Sequence, residues 1–92
     1  MAVTVHLSGY LKPFSCGETE IAIDGDFSSI GDVLDSLWRR HPALTDRVLT
    51  ETGEIRQHVN IFVGNEDVKR LQGLKTKVDS DELYIFNAVS GG

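Results

Sequence analysis

The sequence predicts an α+β domain, a small mixed sheet with one main helix packed on one face. Three observations carry this. Period-two alternation of apolar residues recurs near both ends of the chain, a single amphipathic helix pattern lies between, and the length of 92 residues allows one core and no more.

Val3, Val5 and Leu7 alternate with Thr4, His6 and Ser8, which predicts a half-buried opening strand. Gly9 to Gly17, containing Pro13, reads as turn or loop. Thr19 to Asp24 alternates again with Ile21 and Ile23 on one face, so the first two strands should pair antiparallel. The period then changes. Ile30, Val33, Leu34, Leu37 and Trp38 form one apolar helical stripe. Ser29 followed by Asp32 fits a capping box, while Arg39, Arg40 and His41 suit the negative helix end and Pro42 stops it. Leu44 to Leu49 could add a further helical turn, and Thr50 to Glu54 is a polar turn around Gly53. His58 to Val63 alternates with Val59, Ile61 and Val63 inward. Gly64-Asn65 suits a hairpin turn into a short strand around Asp67 to Lys69. Leu71 to Val78 reads as a connecting loop, and Leu83 to Val89 as the last strand. The inward set would be Val3, Val5, Leu7, Ile21, Ile23, Val59, Ile61, Val63, Leu83 and Ile85, closed by the helix stripe. A β-grasp (ubiquitin-like) arrangement fits this order, with residues 1–92 one domain ending in a flexible tail, 87–92.

If Leu83 and Ile85 point into the core, Tyr84 and Phe86 point out, and Phe62 points out with them. Three aromatics on the helix-free face would form an apolar patch of the kind that marks a binding surface. The competing expectation is that the loop carrying Leu71 and Leu74 folds over part of that face.

Composition narrows the function. Hydrophobic residues make up 40% and charged residues 25%, as in an ordinary globular chain. The net charge of −5 argues against a nucleic-acid partner, which would call for a basic stripe. The apolar runs are too short for a membrane span, and the N-terminus lacks the pattern of a signal peptide, so a cytoplasmic location is expected. A single cysteine, Cys16, rules out an internal disulfide framework and reads as an incidental thiol. His6, His41 and His58 have no metal-ligand spacing; His6 and His58 read as surface or edge-strand residues, His41 as a helix-end charge. Asp24, Asp26 and Asp32 fit capping better than paired-acid catalysis, and Asp79, Asp81 and Glu82 read as turn residues, with cation binding as the alternative. There is no phosphate-binding glycine loop and no nucleophile elbow. No catalytic residue, metal site or bound cofactor is therefore expected. The chemically distinctive group is the carboxylate that follows Gly91-Gly92. Such a carboxylate is ionised at neutral pH and is a poor electrophile until activated. Residues without Cβ atoms let it pass close to backbone and phosphate in a buried active site.

The stretch Val59 to Val68, then Gly73-Leu74, the acidic turn at Asp81 and the run Ala88-Val89-Ser90-Gly91-Gly92 together resemble the MoaD/ThiS sulfur-carrier family. That family usually has Gly-Asp where Ser80-Asp81 stands, proline at Asn87 and often alanine at Ser90. The resemblance implies a β-grasp carrier, a co-substrate rather than an enzyme, or the small subunit of a molybdopterin synthase. It implies that Gly92 is adenylated by a partner resembling ubiquitin-activating enzymes, which uses ATP. A sulfur donor would then convert it to a thiocarboxylate that a biosynthetic acceptor enzyme consumes. Ser90 and Gly91 would thread into the partner, a protease could first expose the tail, and Phe62, Tyr84 and Phe86 would form the partner-binding patch. The residues from Thr45 to Gln57 resemble the longer MoaD-like carriers, most of all those serving cysteine biosynthesis, with molybdopterin next and thiamin less so. A ubiquitin-like modifier joined through Gly92 to lysine, and a plain interaction domain, are the alternatives.

Overall fold

The computed structural model describes residues 2–87. Strands β1 (Ala2–Leu7) and β2 (Glu20–Asp24) pair antiparallel, with Val3 opposite Ile23 and Val5 opposite Ile21. The expected loop between them is more ordered than its Gly and Pro content suggests. Gly9–Phe14 winds as a 3-10 helix because Leu11, fully buried, anchors it to the core. Cys16 (φ 55°) and Gly17 (φ 83°) then turn the chain back toward β2, and the thiol is exposed.

Helix α1 (Ile30–Arg40) starts where the capping box places it. The Asp32 amide donates to Ser29 Oγ at 3.4 Å, and the Ser29 amide donates to the Asp32 carboxylate at 3.3 Å. Its stripe, Ile30, Val33, Leu34 and Leu37, is buried against the sheet, with Trp38 half-covered at the margin. At the other end Arg40 reaches sideways and donates to the Ala22 carbonyl of β2 at 2.7 Å. Pro42–Leu44 (3-10) and α2 (Thr45–Val48) follow, buried through Leu44 and Val48, so the further helical turn is real but short.

Strand β3 (Val59–Val63) turns at Gly64 (φ 59°) into β4 (Glu66–Asp67). A side chain at Gly64 would also meet Ser80, 3.3 Å from where its Cβ would stand. The small strand is shorter and earlier than the expected Asp67 to Lys69. The Asp67 carboxylate accepts from the Lys69 amide at 2.9 Å, which tips the backbone into a 3-10 turn, Val68–Arg70, and buries Val68. A second 3-10 turn, Gly73–Lys75, carries the segment past the start of α1. There the Leu74 carbonyl lies 3.2 Å from the position a Cβ on Gly31 would take, and the Ile30 amide donates to Thr76. Leu74 thus packs on the core from the helix side.

The last strand, β5 (Glu82–Asn87), runs parallel to β1 and antiparallel to β3, giving the order β2-β1-β5-β3-β4. This is the β-grasp arrangement expected from the sequence. Each of the ten expected inward strand residues is buried. Ile85 pairs with Ile61 of β3 and with Leu7 of β1 at the centre of the sheet. Ala88 and Val89, expected from their alternation to extend the last strand, lie outside the described residues.

Candidate partner-binding face and tail root

Because alternation sends every second strand residue away from the helix, the opposite face of the sheet is set by register alone. One row crosses it from edge to edge: Glu20, His6, Tyr84, Phe62 and Asp67 are successive partners on β2, β1, β5, β3 and β4. The His6 and Tyr84 rings stack with centroids 4.6 Å apart, and Tyr84 stacks on Phe86 at 5.9 Å. Phe86 pairs with Asn60 of β3 and is 39% exposed, whereas Phe62 and Tyr84 are half-buried by their neighbours. The aromatic patch expected from alternation therefore exists as a continuous stripe.

His6 belongs to this stripe: of its two expected places, the outward surface of the sheet holds and the edge strand does not. Strand β1 lies inside the sheet, between β2 and β5, and the His6 side chain is only 25% exposed. Its Nε2 hydrogen-bonds the Glu82 carboxylate, and its Nδ1 stands 4.0 Å from Glu20. The stripe is thus apolar along its middle and acidic at its margins, through Glu20, Glu82 and Asp67. Glu82 is a strand residue here rather than a turn residue. The other histidine at a helix end, His41, bonds Glu18 through Nε2 at 2.9 Å.

The loop after β4 covers the face only at its border. Leu71, 45% exposed, and Arg70 share a shallow cleft of about 510 Å³ with Phe62, while Leu74 lies on the helix side. Of the site residues taken from sequence, Phe62, Tyr84 and Phe86 are brought together. Ser90, Gly91 and Gly92 lie outside the described residues. Strand β5 carries the aromatic pair, and its last described residue, Asn87, stands five residues before Gly92 in the sequence. Among the described residues no cluster of three or more potential metal ligands occurs, and no helix is long and apolar enough to cross a membrane.

The ThiS family model matches residues 5–92, nearly the whole chain. The chain belongs to the ThiS family. Among ThiS-type relatives, the sulfur carrier protein CysO of Mycobacterium tuberculosis is 33% identical over 95 residues, covering all of both chains. Small archaeal modifier protein 1 of Haloferax volcanii is 38% identical over 72 residues, 78% of each chain. Its crystal structure superposes over the full length of both chains with a TM-score of 0.82 at 32% identity. CysO in the Amycolatopsis orientalis BexX/CysO complex superposes with a TM-score of 0.83 at 30% identity, covering 98% of this chain and 99% of that one. This ThiS-family chain is therefore a small ubiquitin-like protein whose relatives include sulfur carriers and small modifiers.

Proposed function

We propose that the chain carries sulfur on its C-terminal glycine. The observation that carries this reading is the family match running to residue 92, through the terminal glycine pair. The Gly92 carboxylate attacks the α-phosphate of ATP in the active site of a ubiquitin-activating-type enzyme, and pyrophosphate leaves. Sulfide sulfur from a donor then attacks the acyl carbon, AMP leaves, and a thiocarboxylate remains. A biosynthetic acceptor enzyme takes that sulfur. Likeness over the full length to a CysO-type carrier favours cysteine synthesis as the destination, ahead of molybdopterin. The chain itself contributes delivery and recognition, in a cytoplasmic setting, and the catalysts are its partners. Ser90 and Gly91 thread the tail, and a protease acts first wherever the gene encodes residues beyond Gly92.

Incubation with its activating enzyme, ATP and a sulfide source is expected to shift the intact mass by one oxygen-to-sulfur exchange, located at Gly92 by tandem mass spectrometry. A folded chain that no candidate activator loads would exclude the reading.

Both partners need the same tail, so the aromatic stripe beside it serves them in turn. Phe86→Ala is expected to weaken binding to activator and acceptor alike by about tenfold or more, the scale of an aromatic anchor, while lowering the unfolding midpoint far less than a core truncation does. Calorimetric affinities equal to wild type for both enzymes would remove the stripe from the mechanism.

A second reading, conjugation to lysine through Gly92, is favoured by the likeness to small archaeal modifier protein 1. It shares the chemistry up to the adenylate. Gly92-linked isopeptides in digests of cell extract would establish it.

A further inference from the structure

At the end of the sheet where β1 and β5 finish and β3 begins, a cleft of about 810 Å³ opens, lined among others by Ser8, Tyr10, Arg47, Arg56, His58 and Asn87. It lies apart from the aromatic stripe, and its electrostatics run against those of the whole chain. In a molecule of net charge −5, two arginines line this one cleft. Arg47 is held 4.2 Å above the Phe14 ring, and Arg56 Nε donates to the Asp46 carbonyl at 2.8 Å. Behind them Lys69 Nζ donates to the carbonyls of Arg56 and Gln57. The Asp46 carboxylate on the same wall is the one opposing charge among the lining residues. Among the described residues each guanidinium group has one such anchoring contact, which positions it with further N–H donors to offer a ligand.

Two more atoms need partners. Ser8 Oγ and the Asn87 amide oxygen are buried without a hydrogen-bond partner among the described residues, and both residues line this cleft. Buried polar groups are nearly always paired, so a docked segment that shifts these side chains by a rotamer would gain their hydrogen bonds. The Asn87 oxygen accepts from any N–H or O–H donor, and the two guanidinium groups call for an anionic partner beside it. A peptide supplies backbone N–H and C=O groups in alternation, and acidic side chains supply the carboxylates that guanidinium forks prefer.

We propose that this cleft docks an extended acidic segment of the protein that receives the tail. The identity of that protein rests on the carrier reading. Five residues reach at most about 18 Å, so a protein closed on Gly92 stands next to Asn87. The aromatic stripe would provide contact area, and the basic cleft would orient the docked partner.

The test is an amide-resolved NMR titration of the full chain with acetylated, amidated hexaglutamate, against hexaglutamine and inorganic phosphate at matched ionic strength. Saturable shifts are expected at Tyr10, Arg47, Arg56, His58 and the Asn87 side-chain amide with hexaglutamate, weakening as salt rises. Arg47→Gln and Arg56→Gln should each reduce affinity severalfold, and Arg47→Lys and Arg56→Lys less so. The salt series on the unmodified chain stands even if a variant folds poorly. Equal shifts with hexaglutamine, equal effects from phosphate, or indifference to salt and to both arginines would overturn the proposal. So would shifts at Tyr10, Arg47 and Arg56, remote in sequence from the cut, on deleting residues 88–92, which would mean that the chain's own tail fills the cleft. The titration uses neither ATP nor an activating enzyme, so its failure would leave the carrier reading to stand or fall on the mass shift at Gly92.

Discussion

Gly91→Val is expected to abolish loading of Gly92 while leaving the domain folded. A side chain at the penultimate position adds a Cβ and two methyl groups where, on the proposed carrier reading, the tail passes close to enzyme backbone and nucleotide phosphate. A displacement of the reacting carboxylate by about 1 Å costs on the order of a hundredfold in rate, and a branched residue should displace it by at least that much. The checks are ATP–pyrophosphate exchange by the activating enzyme, intact mass after sulfide addition, and urea unfolding. Loss of the first two with an unchanged third places the defect in delivery. Normal loading by the valine variant would mean that the partner's channel is wide and that the glycine pair has another purpose.

The second large effect falls on stability. Ile85 is fully buried on the central strand, opposite Ile61 on one side and Leu7 on the other. Ile85→Ala should cost about 2–5 kcal/mol through lost burial and the cavity left among rigid strands. Domains of this size are stable by only about 5–15 kcal/mol, so the variant should unfold at markedly lower urea with a similar slope. Phe86, one residue further along the same strand but 39% exposed, is the control. If Ile85→Ala and Phe86→Ala shifted the urea midpoint equally, the division of β5 into a core face and a docking face would be wrong.

How much of this was legible in the sequence follows from the range of the interactions. The α1 start depends on Ser29 and Asp32, three residues apart, and was readable. So was the inward set on the four longer strands, because alternation is local. The 3-10 helix at Gly9–Phe14 was not, since Leu11 is held there by tertiary burial that outweighs the Gly and Pro signals around it. That His6 stands on an interior strand was missed for a related reason. Whether β1 is an edge or interior strand is decided by β5 pairing with it across more than seventy residues, and only that pairing sets His6 on Tyr84 and Glu82. The aromatic stripe was legible as a set of outward residues, yet its continuity required the strand order. The basic cleft was invisible, because Ser8, Arg47, Arg56 and Asn87 come from four separate segments and none stands in a charged run. The family resemblance, carried by Val59 to Val68 and by the terminal glycines, reached further than the physical pattern, and the match over residues 5–92 bears it out.

The position of β5 in the sheet has a mechanical consequence. The strand that leads to Gly92 is third of five, clamped by a parallel ladder to β1 and an antiparallel ladder to β3. A pull applied at the C-terminal end acts along the strand, so it loads both ladders in shear, and their hydrogen bonds must yield together rather than one after another. Had the same sequence ended on an edge strand such as β4, the pull would peel the chain away bond by bond. On the carrier reading, an enzyme that draws the terminus into a channel could hold it under tension while the body of the domain stays intact as a handle.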